Sequence, residues 1–419
     1  MKKSILILVI LLTGFIAHSQ TLIPGKPAEN GMSPERLARI DALINDQMNK
    51  KLIPGAVVLI ARNGKIVFHK AYGYHDVEKQ TLLKKDDIFR NASQSKAITS
   101  LAVMMLFEEG KFLLDDPISA YIPEFKSPKV LANLNWTDTT YTTIPAKSEI
   151  TIRQLLTHTS GIGYANIGTQ DFNAIYAKAG VPSGIGTDRG LLADKMKILG
   201  GLPLKHQPGE AYTYGLNLDV LGYLVEILSG MSFDQFLQTR IFKPLGMNDS
   251  YFFLPKEKHG RLVPIYKSSN GALQKVTTLI FDKVDPNYPT LNGTYFSGGA
   301  GLNGTIEDYA KFLQLFINKG EYNGVRLLSR KTVELMLTNQ IQPPITNQYG
   351  LGFGLETEKN DYQNIYSPGS FSWGGAFATQ YWADPREKLV GLIYTNMISS
   401  PGAGRDGKFK VLTYQAIID

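Results

Sequence analysis

The sequence predicts an α+β fold: strands from both ends of the chain form one antiparallel sheet, flanked by helices and interrupted by an all-α insertion. Three observations predict it. The two-residue turn Asn63-Gly64 joins runs of apolar or alternating residues at 56–61 and 66–72, which is hairpin chemistry. Runs at 377–382 and 389–395 repeat the pattern around Asp384-Pro385-Arg386-Glu387. Between them, residues 117–289 are mostly helical or loop-like, with helical periodicity at 152–156, 218–228 and 233–241.

Taken in order, the chain opens with Lys2-Lys3, an apolar stretch over 5–16 and Ala17-His18-Ser19. This is the pattern of a secretory signal peptide over 1–19, cut before Gln20. The stretch is too short for an ordinary membrane span, and no later segment approaches the roughly 18 apolar residues a span needs. A soluble periplasmic or secreted protein without a stable membrane anchor is therefore expected. Residues 33–48 carry helical periodicity in Leu37, Ile40, Leu43 and Ile44, and Ser33-Pro34-Glu35-Arg36 suits a helix start. The polar, threonine-rich stretch 126–149 and the glycine-rich stretch 161–190 read as surface loops. Residues 409–418 suit a closing helix. The expected organisation is one catalytic domain over 20–419, with an α/β lobe from about 20–92 and 290–419 and a mostly helical lobe from about 93–289.

Composition narrows the function. The chain has no cysteine, which excludes disulfides, thiolate metal sites, a cysteine nucleophile and a lipoprotein anchor, so stability rests on a large core drawn from 43% hydrophobic residues. The formal charge is +7, and +5 once Lys2 and Lys3 are removed. The basic residues are dispersed apart from Lys84-Lys85, so the surface is not that of a nucleic-acid-binding protein.

The chemistry concentrates at Ser93-Gln94-Ser95-Lys96. Ile98, Leu101, Ala102, Met105 and Leu106 form a helical stripe ending at Gly110, which puts Ser93 on the first turn. A serine hydroxyl needs a base to become a nucleophile, and a lysine one helical turn on can reach it. Such a lysine must be uncharged, a state that burial and a helix N-terminus both favour. Backbone N–H groups in a first helical turn lack intrahelical partners and can stabilise an oxyanion. Downstream, Tyr212 and Tyr214 lie just before a helix, in Pro208-Gly209-Glu210-Ala211-Tyr212-Thr213-Tyr214. Ser372-Trp373-Gly374-Gly375-Ala376 leads into a strand, where missing side chains let a backbone N–H approach a substrate.

Together these motifs resemble the serine β-lactamase and penicillin-binding-protein superfamily, specifically its class C β-lactamase-like, esterase-type branch. The resemblance covers nearly all the mature chain. It includes Leu155-Leu156-Thr157-His158-Thr159-Ser160-Gly161, Pro244-Leu245-Gly246-Met247 and Gly298-Gly299-Ala300-Gly301-Leu302. It implies a β-lactamase/transpeptidase-like fold, with Ser93 the acylated nucleophile and Lys96 its base. It further implies that Tyr214 shuttles a proton to the leaving group and later activates water, and that the backbone N–H groups of Ser93 and Ala376 form the oxyanion hole. Trp373, Gly374 and Gly375 would line the substrate.

Two departures bear on the substrate. Where the lactamase pattern has asparagine this chain has Leu216, with Asn217 one position late, and where its strand motif begins with lysine this chain has Trp373. A tryptophan cannot supply the charge that holds the carboxylate of β-lactams and D-alanyl peptides. The favoured reading is a carboxylic ester hydrolase acting on a small, uncharged ester. A β-lactamase or D-alanyl-D-alanine carboxypeptidase acting on an amide, and a catalytically silent binding protein on the same fold, remain alternatives, and the oligomeric state is open.

Other motifs carry less. His158 belongs to a structural turn in the family, and His69, His75, His206 and His259 show no ligand spacing, so no metal is expected. Residues 299–304 spell a dinucleotide fingerprint, but no strand pattern of a βαβ unit surrounds them. Residues 402–408 imitate a phosphate loop, but Phe409 replaces the required hydroxyl and no useful helix is expected there. No cofactor is expected.

Overall fold

The structure of the chain is a computed structural model, which describes residues 21–281, 283–398 and 404–419. Its main sheet runs Ile23–Pro24, Lys65–Asp76, Gly55–Arg62, Leu389–Tyr394, Thr379–Asp384, Phe371–Gly375 and Gly354–Leu355, with Thr81–Leu82 paired onto Lys65–Asp76 off that path. The two predicted hairpins thus sit side by side at the centre, Leu389–Tyr394 against Gly55–Arg62, although the two partners lie more than 300 residues apart. Both strands are buried along their whole length because helices cover both faces.

Strand alternation assigns the two cores. Val58, Ile60, Trp382 and Ile393 pack with Ile40 and Ile44 of the Arg39–Asn49 helix and Phe409 of the Arg405–Tyr414 helix. Val57, Leu59, Tyr381, Leu392 and Tyr394 face the larger core, which includes the Ile306–Ile317 and Ser95–Glu108 helices. Within Ser95–Glu108 every residue from Ser95 to Leu106 is buried, since the helix lies between the sheet side and the Asn217–Ser229 helix.

The structure corrects the sequence-based expectations in several places. The sheet is mixed, because Ile23 and Pro24 pair in parallel with Lys65 and Ile66. The insertion is not all-α: Lys129–Asn135 pairs with Thr140–Pro145 and Tyr266–Ser269 with Ala272–Lys275. The first of these hairpins occupies the threonine-rich stretch read as a loop. Its residues are mostly exposed, so no apolar alternation marks it, while its β-branched residues favour the extended backbone. The glycine-rich stretch contains the helix Gln170–Ala179, seated on Phe172, Ile175 and Tyr176. The closing helix starts earlier than expected, at Arg405, so a ten-residue helix does follow the last strand of the sheet. The signal segment 1–19 lies outside the described residues. Among the described residues no helix is long and apolar enough to cross a membrane.

Candidate active site

Ser93 lies in a short 3-10 turn, Ala92–Gln94, that runs directly into the Ser95–Glu108 helix rather than in the helix itself. Ala92 enters this turn at φ 45°, a left-handed conformation that a side chain adopts only under constraint. The constraint is visible in the hydrogen bonds. Asn91 N–H donates to the Leu302 carbonyl (3.0 Å), Leu302 N–H to Ser95 Oγ (2.9 Å) and Thr99 Oγ1 to the Gly298 carbonyl (2.7 Å). The Gln94 carbonyl accepts from Tyr309 and its side-chain oxygen from Tyr394. Ser93 is the one residue of 91–100 that is not buried.

Lys96 is 1% exposed, and its amine is held at three points. Nζ lies 2.7 Å from the Gly299 carbonyl, 2.8 Å from Tyr164 Oη and 3.4 Å from Ser93 Oγ. The Tyr214 ring forms a further wall, its centroid 4.5 Å from Nζ. Tyr214 does not turn its hydroxyl to the amine in this arrangement; Oη accepts from Trp373 Nε1 at 3.4 Å. Behind the amine sits Asp219, fully buried. Burial pushes its carboxyl up to about 6, against the opposing pull of the Ser297 hydroxyl, the neighbouring Lys96 and the Gly299 N–H.

The Phe371–Gly375 strand ends beside this turn. A Cβ built on Gly375 would lie 2.3 Å from the Asn91 carbonyl oxygen, so only glycine allows the strand so close to the peptides that precede Ser93. Gly374 is covered by the Gln380 side chain from the next strand, where a Cβ would come within 2.5 Å of its amide. Ala376 follows in an exposed tight turn closed by Ala378 N–H on the Gly375 carbonyl. Trp373 is half-buried, with Tyr214 and Tyr349 packed on it at 5.7 and 5.4 Å between ring centroids. The structure therefore brings Ser93, Lys96, Tyr214, Trp373, Gly374 and Gly375 into one region.

A family model described as beta-lactamase matches residues 40–414. The chain belongs to the beta-lactamase family of serine hydrolases. It is 31% identical to protein Rv1367c of Mycobacterium tuberculosis over 369 residues, covering 84% of this chain and 88% of that one. It is 28% identical to esterase EstB of Burkholderia gladioli over 381 residues, covering 86% and 90%. Among solved structures, EstCE1, a hydrolase with promiscuous acyltransferase activity, superposes with a TM-score of 0.78 at 24% identity, covering 91% of this chain and 99% of that one. These likenesses place the fold with that of the β-lactamases and penicillin-binding proteins.

Within this beta-lactamase-family site, Leu216 is fully buried and brings no polar group, and Asn217 turns away to His158. His158 is buried at φ 58°, 2.8 Å from Asn217 through Nδ1, with its carbonyl accepting from Thr213 N–H at 2.7 Å. Burial, the larger cause, together with the neighbouring Lys96, holds its imidazole well below the usual range, so it stays neutral and braces the tyrosine segment. Sequence reasoning missed three groups at the amine: Tyr164, Asp219 and the Gly299 carbonyl. Tyr164 lies three residues beyond the Leu155–Gly161 run, and Gly299 lies in a quoted glycine motif with no role attached. Both signals were present without chemistry to attach to them. Among the described residues no cluster of His, Asp and Glu could hold a metal ion.

Proposed function

We propose that this chain is an exported serine hydrolase that cleaves small carboxylic esters through an acyl-enzyme on Ser93. Lys96, as the free amine, takes the Ser93 proton while Oγ adds to the ester carbonyl carbon, and the backbone N–H groups of Ser93 and Ala376 receive the negative oxygen. The bond to the alkoxy oxygen then breaks, and the proton reaches the departing alcohol through Tyr214. Water, deprotonated by the same groups, adds to the acyl carbon and releases the acid, returning the proton to Ser93 Oγ.

The observation that carries the ester over the amide is the wall at Trp373. A carboxylate-bearing lactam or D-alanyl peptide needs a cation there, and the position holds an indole packed between Tyr214 and Tyr349. The likeness to esterase EstB supports the same reading. Export rests on the Lys2-Lys3 and 5–16 pattern and predicts a mature N-terminus at Gln20 in the periplasmic or extracellular fraction.

The test is release of p-nitrophenol from a short-chain ester by the purified protein and its Ser93→Ala variant, with nitrocefin and a fluorescent penicillin as competing substrates. Ester turnover that vanishes in S93A supports the proposal. Faster turnover of nitrocefin, or a persistent penicillin label, reassigns the substrate to the lactam class. Failure of a fluorophosphonate to label Ser93 in folded protein makes the chain a silent binding protein.

A further inference from the structure

The amine of Lys96 has more neighbours than the proposed reaction uses, and their arrangement carries a consequence. An uncharged primary amine has two N–H bonds and one lone pair. Its two nearest oxygens are the Gly299 carbonyl at 2.7 Å, which can only accept, and Tyr164 Oη at 2.8 Å. Ser93 Oγ is the third neighbour, at 3.4 Å. If the two close oxygens each take an N–H, the lone pair is left for the Ser93 proton.

We propose that Tyr164 is a positioning residue: its phenol oxygen accepts one N–H of Lys96 and thereby turns the nitrogen lone pair onto Ser93 Oγ. Tyr214 cannot substitute, because it offers Lys96 its ring face and its hydroxyl oxygen accepts from Trp373 Nε1. Tyr164 is 4% exposed, and burial, with the neighbouring Tyr214 and Asp219, holds it far into the neutral phenol form. After proton transfer the ammonium has three N–H bonds. Two remain on Gly299 and Tyr164, and the third carries the former Ser93 proton on the side of Ser93 Oγ. The phenol oxygen thus accepts in both states and needs no rearrangement between them, which is the condition for fixed orientation to speed a reaction.

This inference rests on the Ser93 and Lys96 roles proposed above, and the experiment separates the two. Kinetics on a short-chain p-nitrophenyl ester are measured for wild type, S93A, K96A, Tyr164→Phe, Tyr349→Phe and the K96A/Y164F double variant, with the burst of acylation and the thermal midpoint recorded for each. Y164F should lower kcat and the burst rate by about 10- to 100-fold with KM within about twofold and the thermal midpoint nearly unchanged. Y349F removes a buried hydroxyl without a partner from the same aromatic cluster and should keep the wild-type rate. On the K96A background, adding Y164F should cost nothing further, because Tyr164 acts only through the amine. The inference falls if Y164F keeps the wild-type kcat, if Y349F loses as much, or if Y164F slows K96A by the same factor as wild type. Retained activity in S93A and K96A instead overturns the proposed function itself.

Discussion

Lys96 Nζ donates to the backbone carbonyl of Gly299 at 2.7 Å, and Gly299 has no side chain because three functional atoms already occupy that space. A Cβ there would lie 2.6 Å from Asp219 Oδ2, 3.3 Å from Tyr164 Oη and 3.5 Å from Lys96 Nζ. The carboxylate is itself packed in a full core, so relief must come from the backbone at 298–302 or from the amine. Gly299→Ala is expected to lower kcat by about 100-fold, since roughly 1 Å of misplacement suffices for that. It should cost about 1–3 kcal/mol of stability by overpacking. Ester kinetics and a urea titration of the same variant check both.

What the sequence made legible follows from where period and burial coincide. The hairpin at Asn63-Gly64 was readable because its turn chemistry and flanking apolar runs are local. The Lys129–Asn135 hairpin was not, because a ribbon wet on both sides leaves no period-two signature. Ile23–Pro24 is too short to have any period, and its parallel pairing with Lys65 and Ile66 depends on residues some 40 positions away. At the site, the spacing of Ser93 and Lys96 is a helical-turn spacing and could be read directly, while Tyr164 and Gly299 reach the amine from segments 68 and 203 residues distant. Only the folded chain brings those together.

From inside the protein, Arg90 introduces the turn that carries Ser93. It is 0% exposed and donates to the carbonyls of Val263 and Pro286 while stacking over Tyr288 and Phe377. Burial holds its guanidinium down to about 10, so it still enters the core charged. Arg90→Lys keeps the charge but loses the planar fork and its two-ring stacking. Each hydrogen bond to a charged group contributes about 1.5–3 kcal/mol, so R90K is expected to cost about 2–4 kcal/mol in denaturant unfolding. Because Asn91, Ala92 and Ser93 follow immediately, kcat should fall with it.

One buried group, Asp219, and one half-buried group, His69, give stability opposite dependences on pH. The Asp219 carboxyl, pushed up to about 6, keeps its proton between about pH 4 and 6 while the unfolded chain has released it, so stability falls as pH rises through that window. His69 is held down to about 4, chiefly by burial and then by the charge of Lys85, so it refuses a proton that the unfolded chain accepts below about pH 6.5. Its contribution is complete above that pH and is lost as pH falls towards 4. Each effect is on the order of 2–3 kcal/mol and they oppose one another. Asp219→Asn should therefore show stability that rises with pH from 4.5 to 7, and His69→Asn stability that falls, relative to a flatter wild type. Urea midpoints at the two pH values, for all three proteins, decide it.

In the proposed reaction Trp373 would join substrate contact to proton transfer, and the two can be separated. Its ring packs with Tyr214 and Tyr349, while Nε1 donates to Tyr214 Oη at 3.4 Å. Trp373→Phe preserves an aromatic wall and removes the donor, leaving the Tyr214 hydroxyl free to turn towards the reacting centre or away from it. Trp373→Ala removes wall and donor together, and truncating this half-buried aromatic loses about 1–2 kcal/mol of apolar contact. W373F should therefore change kcat with KM within about twofold, whereas W373A should also raise KM for a p-nitrophenyl ester by about tenfold or more. A rise in KM for W373F as large as that for W373A would mean that Nε1 contacts the ester itself. The orientation of Tyr214 would then rest on His158, whose ring lies 4.8 Å from it.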